Sequence, residues 1–250
     1  APLSTDRALQ RILKLAFYDA GTAARGGEPP WGALTGVRPV KIPTKAMLAG
    51  ASPAQAERLL RDTYRVTEGR RRLAMDCAGA SLAALRSLAP GEVSLYVGIP
   101  FCPTRCAYCS FISSDIKGSL ALVEPYVDAL CREIQLAGGL LRERGLHISH
   151  AYMGGGTPTT LTAEQLHKIL SAVENFLPME RCGEFTVEAG RPDTITADKL
   201  ETLKLHNIHR ISINPQTMEN HVLRAMGRAH TAAQIVEAMA LAERHFGGLV

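Results

Sequence analysis

The chain has 250 residues, 46% of them hydrophobic, and a formal net charge of +4 from 28 Lys+Arg against 24 Asp+Glu. That length holds one large domain or a domain beside a smaller one, and so weak and scattered an excess of charge gives no footing for nucleic acid. No run of ~18 apolar residues suggests a membrane span, the N-terminal segment APLSTDRALQ lacks a signal-peptide pattern, and six cysteines do not make a disulfide scaffold, so a reducing cytoplasm is the expected setting.

Residues 1–90 read as mainly helical. Leu9, Ile12, Leu13 and Ala16 make an apolar stripe at helical spacing. The run Gly26-Gly27-Glu28-Pro29-Pro30-Trp31 and the stretch from Leu34 to Ile42 are loop by their Gly and Pro content. Trp31 is expected as a packing anchor there, and Arg38 and Lys41 as solvated cations. Ser52, Pro53 and Gln55 spell a helix start: a Ser cap, Pro at the first helical position and Gln at the third. Arg70-Arg71-Arg72 should be an exposed helix face, and Pro90-Gly91 a closing turn.

From residue 93 the pattern changes to alternating strands and helices. Strands are expected at Val93 to Ile99, His150 to Met153, Glu184 to Glu188 and Ile208 to Asn214, with a fifth starting at Leu249. Helices are expected over 124–144, after the Thr162/Gln165 capping box, over 197–206, and from the Thr231/Gln234 box to Phe246. Repeated β-then-α units imply parallel strands with crossover helices. A (β/α) barrel fits, and a doubly wound sheet would read similarly; in both, ligands sit at the C-terminal ends of the strands. The chain starts without Met and stops at Gly247-Gly248-Leu249-Val250, so the expectation is a partial barrel, truncated after about four of the eight units of a whole one.

The chemistry concentrates after the first strand, in Cys102-Pro-Thr-Arg-Cys106-Ala-Tyr-Cys109. Three thiolates so close select a soft metal, zinc or an iron–sulfur cluster. Structural zinc takes four protein ligands, and position 111 is Phe. Three ligands suit a cubane with one iron left open to chelate a small molecule. Gly154-Gly155-Gly156-Thr157-Pro158 ends the second strand, where glycines allow close backbone approach. Glu188, Gln216 and Arg228 stand at or after later strand ends and together ring that face with acceptors and a cation. Cys77, Cys131 and Cys182 lack metal-like spacing and are expected as buried thiols.

The C-x3-C-x2-C spacing with Tyr108 before the last Cys resembles the radical SAM superfamily. A narrower resemblance rests on Tyr96-Val97-Gly98-Ile99-Pro100-Phe101-Cys102, the Gly154–Thr157 run, Thr186-Val187-Glu188-Ala189, Arg210 to Gln216 and Gly227-Arg228-Ala229-His230. These look like the oxygen-independent coproporphyrinogen III oxidase family, over about residues 90–250. The Leu34-to-Ile42 loop looks like the coproporphyrinogen dehydrogenase branch with an extra N-terminal region. The resemblance implies a radical SAM (β/α) barrel core over 91–250 with a [4Fe–4S] cluster on Cys102, Cys106 and Cys109. It implies S-adenosylmethionine held by Tyr96, Gly155, Glu188 and Arg228. Tyr108, Gly156, Thr157 and Gln216 would line a neighbouring site, which holds a second cofactor molecule in the best-known members. It further implies a porphyrinogen substrate whose two propionates become vinyls, and a flavodoxin- or ferredoxin-type electron donor. Gly98 stands where the oxidase proper has His, and Phe111 where it has a fourth Cys; Phe there resembles the related haem chaperones, so a haem-trafficking protein is the second reading. A structural zinc domain is the third.

Overall fold

The structure, a computed structural model, describes residues 5–34 and 38–247. Thr35, Gly36 and Val37 of the Gly/Pro loop and the strand expected at Leu249 lie outside the described residues. The described residues fall into two compact units that divide between Ala89 and Pro90.

The first unit is helical: α1 (Thr5–Arg25), α2 (Lys41–Leu48), α3 (Pro53–Arg58), a π-helical turn over Leu59–Thr63, and α4 (Glu68–Arg86). Ser52 caps α3 as its sequence predicts, with both bonds of the capping box formed. The core is small. Leu60, Val66 and Ala74 are buried, and Trp31, Leu34, Ile42, Tyr64 and Met75 pack against them. Trp31 is anchored as expected, with the Arg70 guanidinium 5.7 Å from its ring centre. The preceding loop can lie on the Tyr64–Arg65 backbone only because residue 32 is Gly. Its φ is +59°, and a Cβ there would come within 2.2 Å of two carbonyl oxygens.

Two expectations fail in this unit, the exposed Arg70–Arg72 face and the buried Cys77, and the apolar stripe of α1 goes uncovered among the described residues. The α1 stripe of Leu9, Ile12 and Leu13 is exposed, and Phe17 is 82% exposed. Helical spacing marks which residues share a face, while burial requires a second element against that face. The Arg70–Arg72 run is not uniformly solvated, since Arg71 is half-buried, pairs with Glu57 and donates to the Val66 carbonyl. Cys77 is exposed rather than buried.

The second unit runs β1 (Glu92–Ile99), β2 (Phe101–Cys102), β3 (Ser114–Asp115), α5 (Ile116–Glu143), β4 (His147–Gly155), α6 (Ala163–Phe176), β5 (Glu184–Glu188), α7 (Ala197–Leu205), β6 (Arg210–Ser212), α8 (Asn220–Ala225) and α9 (Ala232–Phe246). Its main sheet has the order β1-β4-β5-β6, every pair parallel. Neighbours follow chain order without reversal, so the sheet winds in one direction like a barrel wall and is not doubly wound. Period-2 alternation sends Val97, Ile99, Ala151, Met153, Phe185, Val187 and Ile211 into the core with the inner faces of α5 and α6. The same alternation sends Tyr96, Gly98, Tyr152, Gly154, Glu188 and Ser212 to the other face.

The capping boxes of α6 and α9 form as read, Thr162 with Gln165 and Thr231 with Gln234. Helix α5 starts earlier than expected: Asp115 caps it by accepting from the Lys117 amide at 2.8 Å. Pro125 within it forfeits one backbone donor without ending the helix. Strand β4 runs longer than His150 to Met153, and β6 is shorter than Ile208 to Asn214. Asn207, with φ +51°, turns the chain just before β6. Cys131 and Cys182 are partly buried against the core. Among the described residues no helix is long and apolar enough to cross a membrane.

Candidate functional site

The cysteine loop is closed at its base by two short parallel strands. Phe101 pairs with Ser114 and Cys102 with Asp115, and the Ser114 amide donates to the Pro100 carbonyl at 2.7 Å. Within the loop the Cys109 amide donates to the Cys106 carbonyl at 3.0 Å, and Arg105 reaches across to the Ser113 carbonyl at 2.8 Å. The segment after α8 pins it from outside: the Ala107 amide donates to the Met226 carbonyl at 3.0 Å, and Thr104 Oγ1 donates to the Gly227 carbonyl at 2.9 Å.

Beside this loop lies a cleft of about 190 Å³ at the C-terminal ends of the strands. Cys102, Cys106, Cys109, Tyr108, Gly155, Gly156, Thr157, Glu188, Gln216 and Arg228 all line it. Residues from five separate chain segments thus converge where strand-end logic puts a ligand. Tyr96 is the exception among the residues singled out in the sequence. It does not line the cleft but stacks on Tyr152, the ring centres 6.0 Å apart.

The glycine run has a more specific basis than close approach to a ligand. Gly155, at φ +113°, would place a Cβ 2.9 Å from the Ile99 carbonyl oxygen, and Gly156 one 2.6 Å from that of Phe101. The Gly156 and Thr157 amides donate to these same carbonyls at 2.7 and 2.8 Å. The run therefore zips onto the chain that leads into the cysteine loop, and Thr157 Oγ1 ends 3.5 Å from Cys102 Sγ.

Glu188 is held from the side by a residue the sequence reading missed. Tyr152 donates its hydroxyl to Glu188 Oε1 at 2.7 Å. Burial first, and this bond second, push the Tyr152 phenol up to about 12, so it remains a donor at any ordinary pH. Burial followed by the Glu188 charge also raises the Tyr96 phenol. Gly154 makes room, because a Cβ there would sit 3.0 Å from the Glu188 carboxyl carbon. The signal was present in the alternation of β4, which puts residues 152 and 154 on one face.

Arg228 is buried. Its Nη1 donates to the Gly190 carbonyl at 3.1 Å and its Nη2 to the Tyr108 hydroxyl at 3.4 Å, while its Nε has no hydrogen-bond partner among the described residues. A second arginine, Arg191, also lines the cleft and was not singled out in the sequence. Behind both, His230 is buried with Nδ1 3.2 Å from Asp193 Oδ1; burial pulls its imidazole below the usual value in spite of that carboxylate. Gln216 adopts φ +65°, a left-handed conformation that is uncommon for a non-Gly residue.

The donor set suits a cluster with a bound amino acid cofactor. Cys102, Cys106 and Cys109 bring three thiols to one cleft, the soft donors that an iron–sulfur cluster takes. Beside them stand one carboxylate, one guanidinium with an unused donor, and exposed backbone, the complements of an ammonium, a carboxylate and a ribose.

A family model described as the Radical SAM superfamily matches residues 96–249. The "Oxygen-independent coproporphyrinogen-III oxidase-like protein HemZ" of Bacillus subtilis is 42% identical over 240 residues, which is 95% of this chain and 48% of that protein. The "Heme chaperone HemW" of Lactococcus lactis is 34% identical over 58% of this chain and 36% of that protein, and the Escherichia coli HemW 31% identical over 60% and 39%. The chain thus spans about half the length of the first of these curated relatives, and less of the others. Among solved structures, the coproporphyrinogen III oxidase HemN of Escherichia coli, described as a radical SAM enzyme, superposes with a TM-score of 0.54 at 30% identity over 66% of this chain and 37% of that one. The family match, the one-way parallel sheet and the three-cysteine loop agree: the chain belongs to the radical SAM superfamily, whose chemistry uses a [4Fe–4S] cluster and S-adenosylmethionine, and it is homologous to the HemN- and HemZ-type proteins.

Proposed function

We propose that this protein is an oxygen-independent coproporphyrinogen III dehydrogenase, acting in the cytoplasm and converting two propionates of its substrate to vinyls to give protoporphyrinogen IX. The observation that carries the reading is the extent of the HemZ similarity. It covers 240 residues of the chain and so takes in most of the helical first unit, whereas the two HemW proteins share 58% and 60%. In this reading residues 1–90 are the extra N-terminal region of the dehydrogenase branch and 91–250 the cofactor-binding core.

Cys102, Cys106 and Cys109 hold three irons of the cluster and leave the fourth open. When bound, the cluster and S-adenosylmethionine supply a one-electron reductive cleavage that yields a hydrogen-abstracting radical. The chain's own groups bind and orient. Glu188, fixed by Tyr152, accepts from the amino acid or ribose end of the cofactor, and Arg228 offers its free Nε to the carboxylate. Gly155 presents backbone. Tyr96 acts on the cofactor side only through its stack with Tyr152. Tyr108, Gly156, Thr157 and Gln216 line the adjoining space, where a second cofactor molecule fits this reading. Each propionate loses one hydrogen atom, then CO2 and one electron to an external acceptor, leaving a vinyl. No side chain acts as nucleophile. A flavodoxin- or ferredoxin-type protein is the proposed reductant.

The second reading, a haem-binding chaperone, is favoured by Phe111, exposed beside the cleft where the oxidase proper has its fourth Cys. Anaerobic reconstitution followed by a product assay separates the two. Protoporphyrinogen IX with two CO2 per molecule is expected. Stoichiometric haem binding without decarboxylation would sink the dehydrogenase reading in favour of the chaperone, and cofactor cleavage with no turnover of coproporphyrinogen would sink the substrate assignment alone.

A further inference from the structure

Arg191 is 2% exposed and is among the largest fully buried side chains of the chain. A buried guanidinium is costly unless its donors and charge are met. Here all five N–H donors find acceptors. Nε donates to Asp193 Oδ1 at 3.2 Å, and Nη2 to Asp193 Oδ2 at 3.5 Å and Thr104 Oγ1 at 3.1 Å. Nη1 donates to the Thr104 carbonyl at 3.3 Å and to Cys106 Sγ at 3.8 Å. Four of these contacts would serve an ordinary buried ion pair. The fifth reaches the sulfur of a cleft-lining cysteine.

The arrangement is polarised. Asp193 takes the Nε–Nη2 edge and is itself engaged by the buried His230. Nη1 points at the cysteine loop. The positive end of the Arg191–Asp193 pair therefore faces Cys106, and its compensating carboxylate faces away. The Thr104 contacts extend the effect along the backbone, since Thr104 lies between Cys102 and Cys106 and is also tied to the Gly227 carbonyl.

We propose that Arg191 is a positioning residue of the cluster site that donates a hydrogen bond to the Cys106 thiolate and so sets the reduction potential of the cluster. The inference rests on Cys106 being a cluster ligand, as argued above. The physical basis is direct. Hydrogen bonds to ligand sulfurs and nearby fixed charge are among the terms that tune such clusters. Reduction adds negative charge to the cluster, and a guanidinium at one of its sulfurs stabilises the reduced form more than the oxidised one. A charge-assisted N–H···S bond also restrains the thiolate that would otherwise be free to turn into the cleft. The contact bridges 85 residues of sequence, so it couples the loop after β5 to the cysteine loop after β2.

The test uses anaerobically reconstituted protein, with iron and acid-labile sulfide counted per chain and the cluster followed by redox titration with electron paramagnetic resonance. Arg191→Gln is expected to load iron as the unaltered protein does and to show an about tenfold lower ratio of reduced to oxidised cluster at a fixed potential, a downward shift of about 59 mV for a one-electron couple. Arg191→Lys keeps the charge and loses the fork, so its shift is smaller. Fully loaded Arg191→Gln with an unchanged potential would overturn the proposal. Where Arg191→Gln fails to load, Asp193→Asn decides: it leaves the guanidinium and removes its counter-charge, so the potential must rise, and an unchanged or lower value overturns the proposal. Cys106→Ala checks the assignment underneath. Loss of iron supports it, while full iron retention removes Cys106 from the ligand set and the proposal with it.

Discussion

The two units bury different things. In the helical unit the core is aliphatic and small, centred on Leu60, Val66 and Ala74. The buried polar and charged side chains among the described residues, including Thr157, Arg191, Arg228 and His230, all belong to the unit that begins at Pro90. Buried polar groups are costly unless fully bonded, and three of them, Thr157, Arg191 and Arg228, line the cleft. The second unit carries that cost partly at the candidate site; the first buries no polar side chain fully among its described residues. A similar contrast holds for helices. On α6, Leu166, Ile169, Leu170 and Val173 are buried, whereas on α1 Leu9, Ile12 and Leu13 carry the same spacing and stay exposed.

This contrast can be broken by experiment. The largest effect is expected from Cys109→Ala, which should abolish cluster loading and cofactor cleavage; an iron content equal to that of the unaltered chain would refute the ligand assignment. Leu166→Ala should lower unfolding stability by about 2–5 kcal/mol, because a fully buried leucine leaves both a transfer loss and a cavity; chemical denaturation measures it. Tyr152→Phe removes the donor that holds Glu188 and should weaken S-adenosylmethionine binding by about 1 kcal/mol, roughly fivefold in Kd, read by calorimetry on the cluster-loaded protein.

A pH effect should follow from His230. Its folded-state value lies below the ordinary 6.5 because of burial, so the unfolded chain takes up the proton first. Stability is then fully present above about 6.5 and falls as the pH drops through that value towards the lower folded-state one. His230→Gln should flatten this part of the melting-temperature profile, and an identical profile would show that His230 is not its source. The smallest effect belongs to the exposed stripe: Phe17→Ser should change stability by no more than about 0.5 kcal/mol. A loss comparable to that of Leu166→Ala would mean that α1 is covered in solution.

Sequence alone determined what depends on neighbours along the chain. The three-cysteine spacing, the capping boxes at Ser52, Thr162 and Thr231, and the change from helices to alternating strands and helices are all local, written within a few residues. The strand-end positions of Gly155, Thr157 and Glu188 were legible too, because alternation and topology carry strand ends to one side of a parallel sheet. Tertiary structure alone decided the rest. The one-way strand order, the exposure of the α1 stripe and the displacement of Tyr96 from the cleft depend on which surfaces meet. So do the Tyr152 hold on Glu188, 36 residues away, and the reach of Arg191 to Cys106. No local periodicity encodes those two contacts. They form because the sheet sets the ends of β1, β4 and β5 side by side, where a donor turned from solvent must find an acceptor, and the acceptors within reach are the Glu188 carboxylate and the Cys106 sulfur.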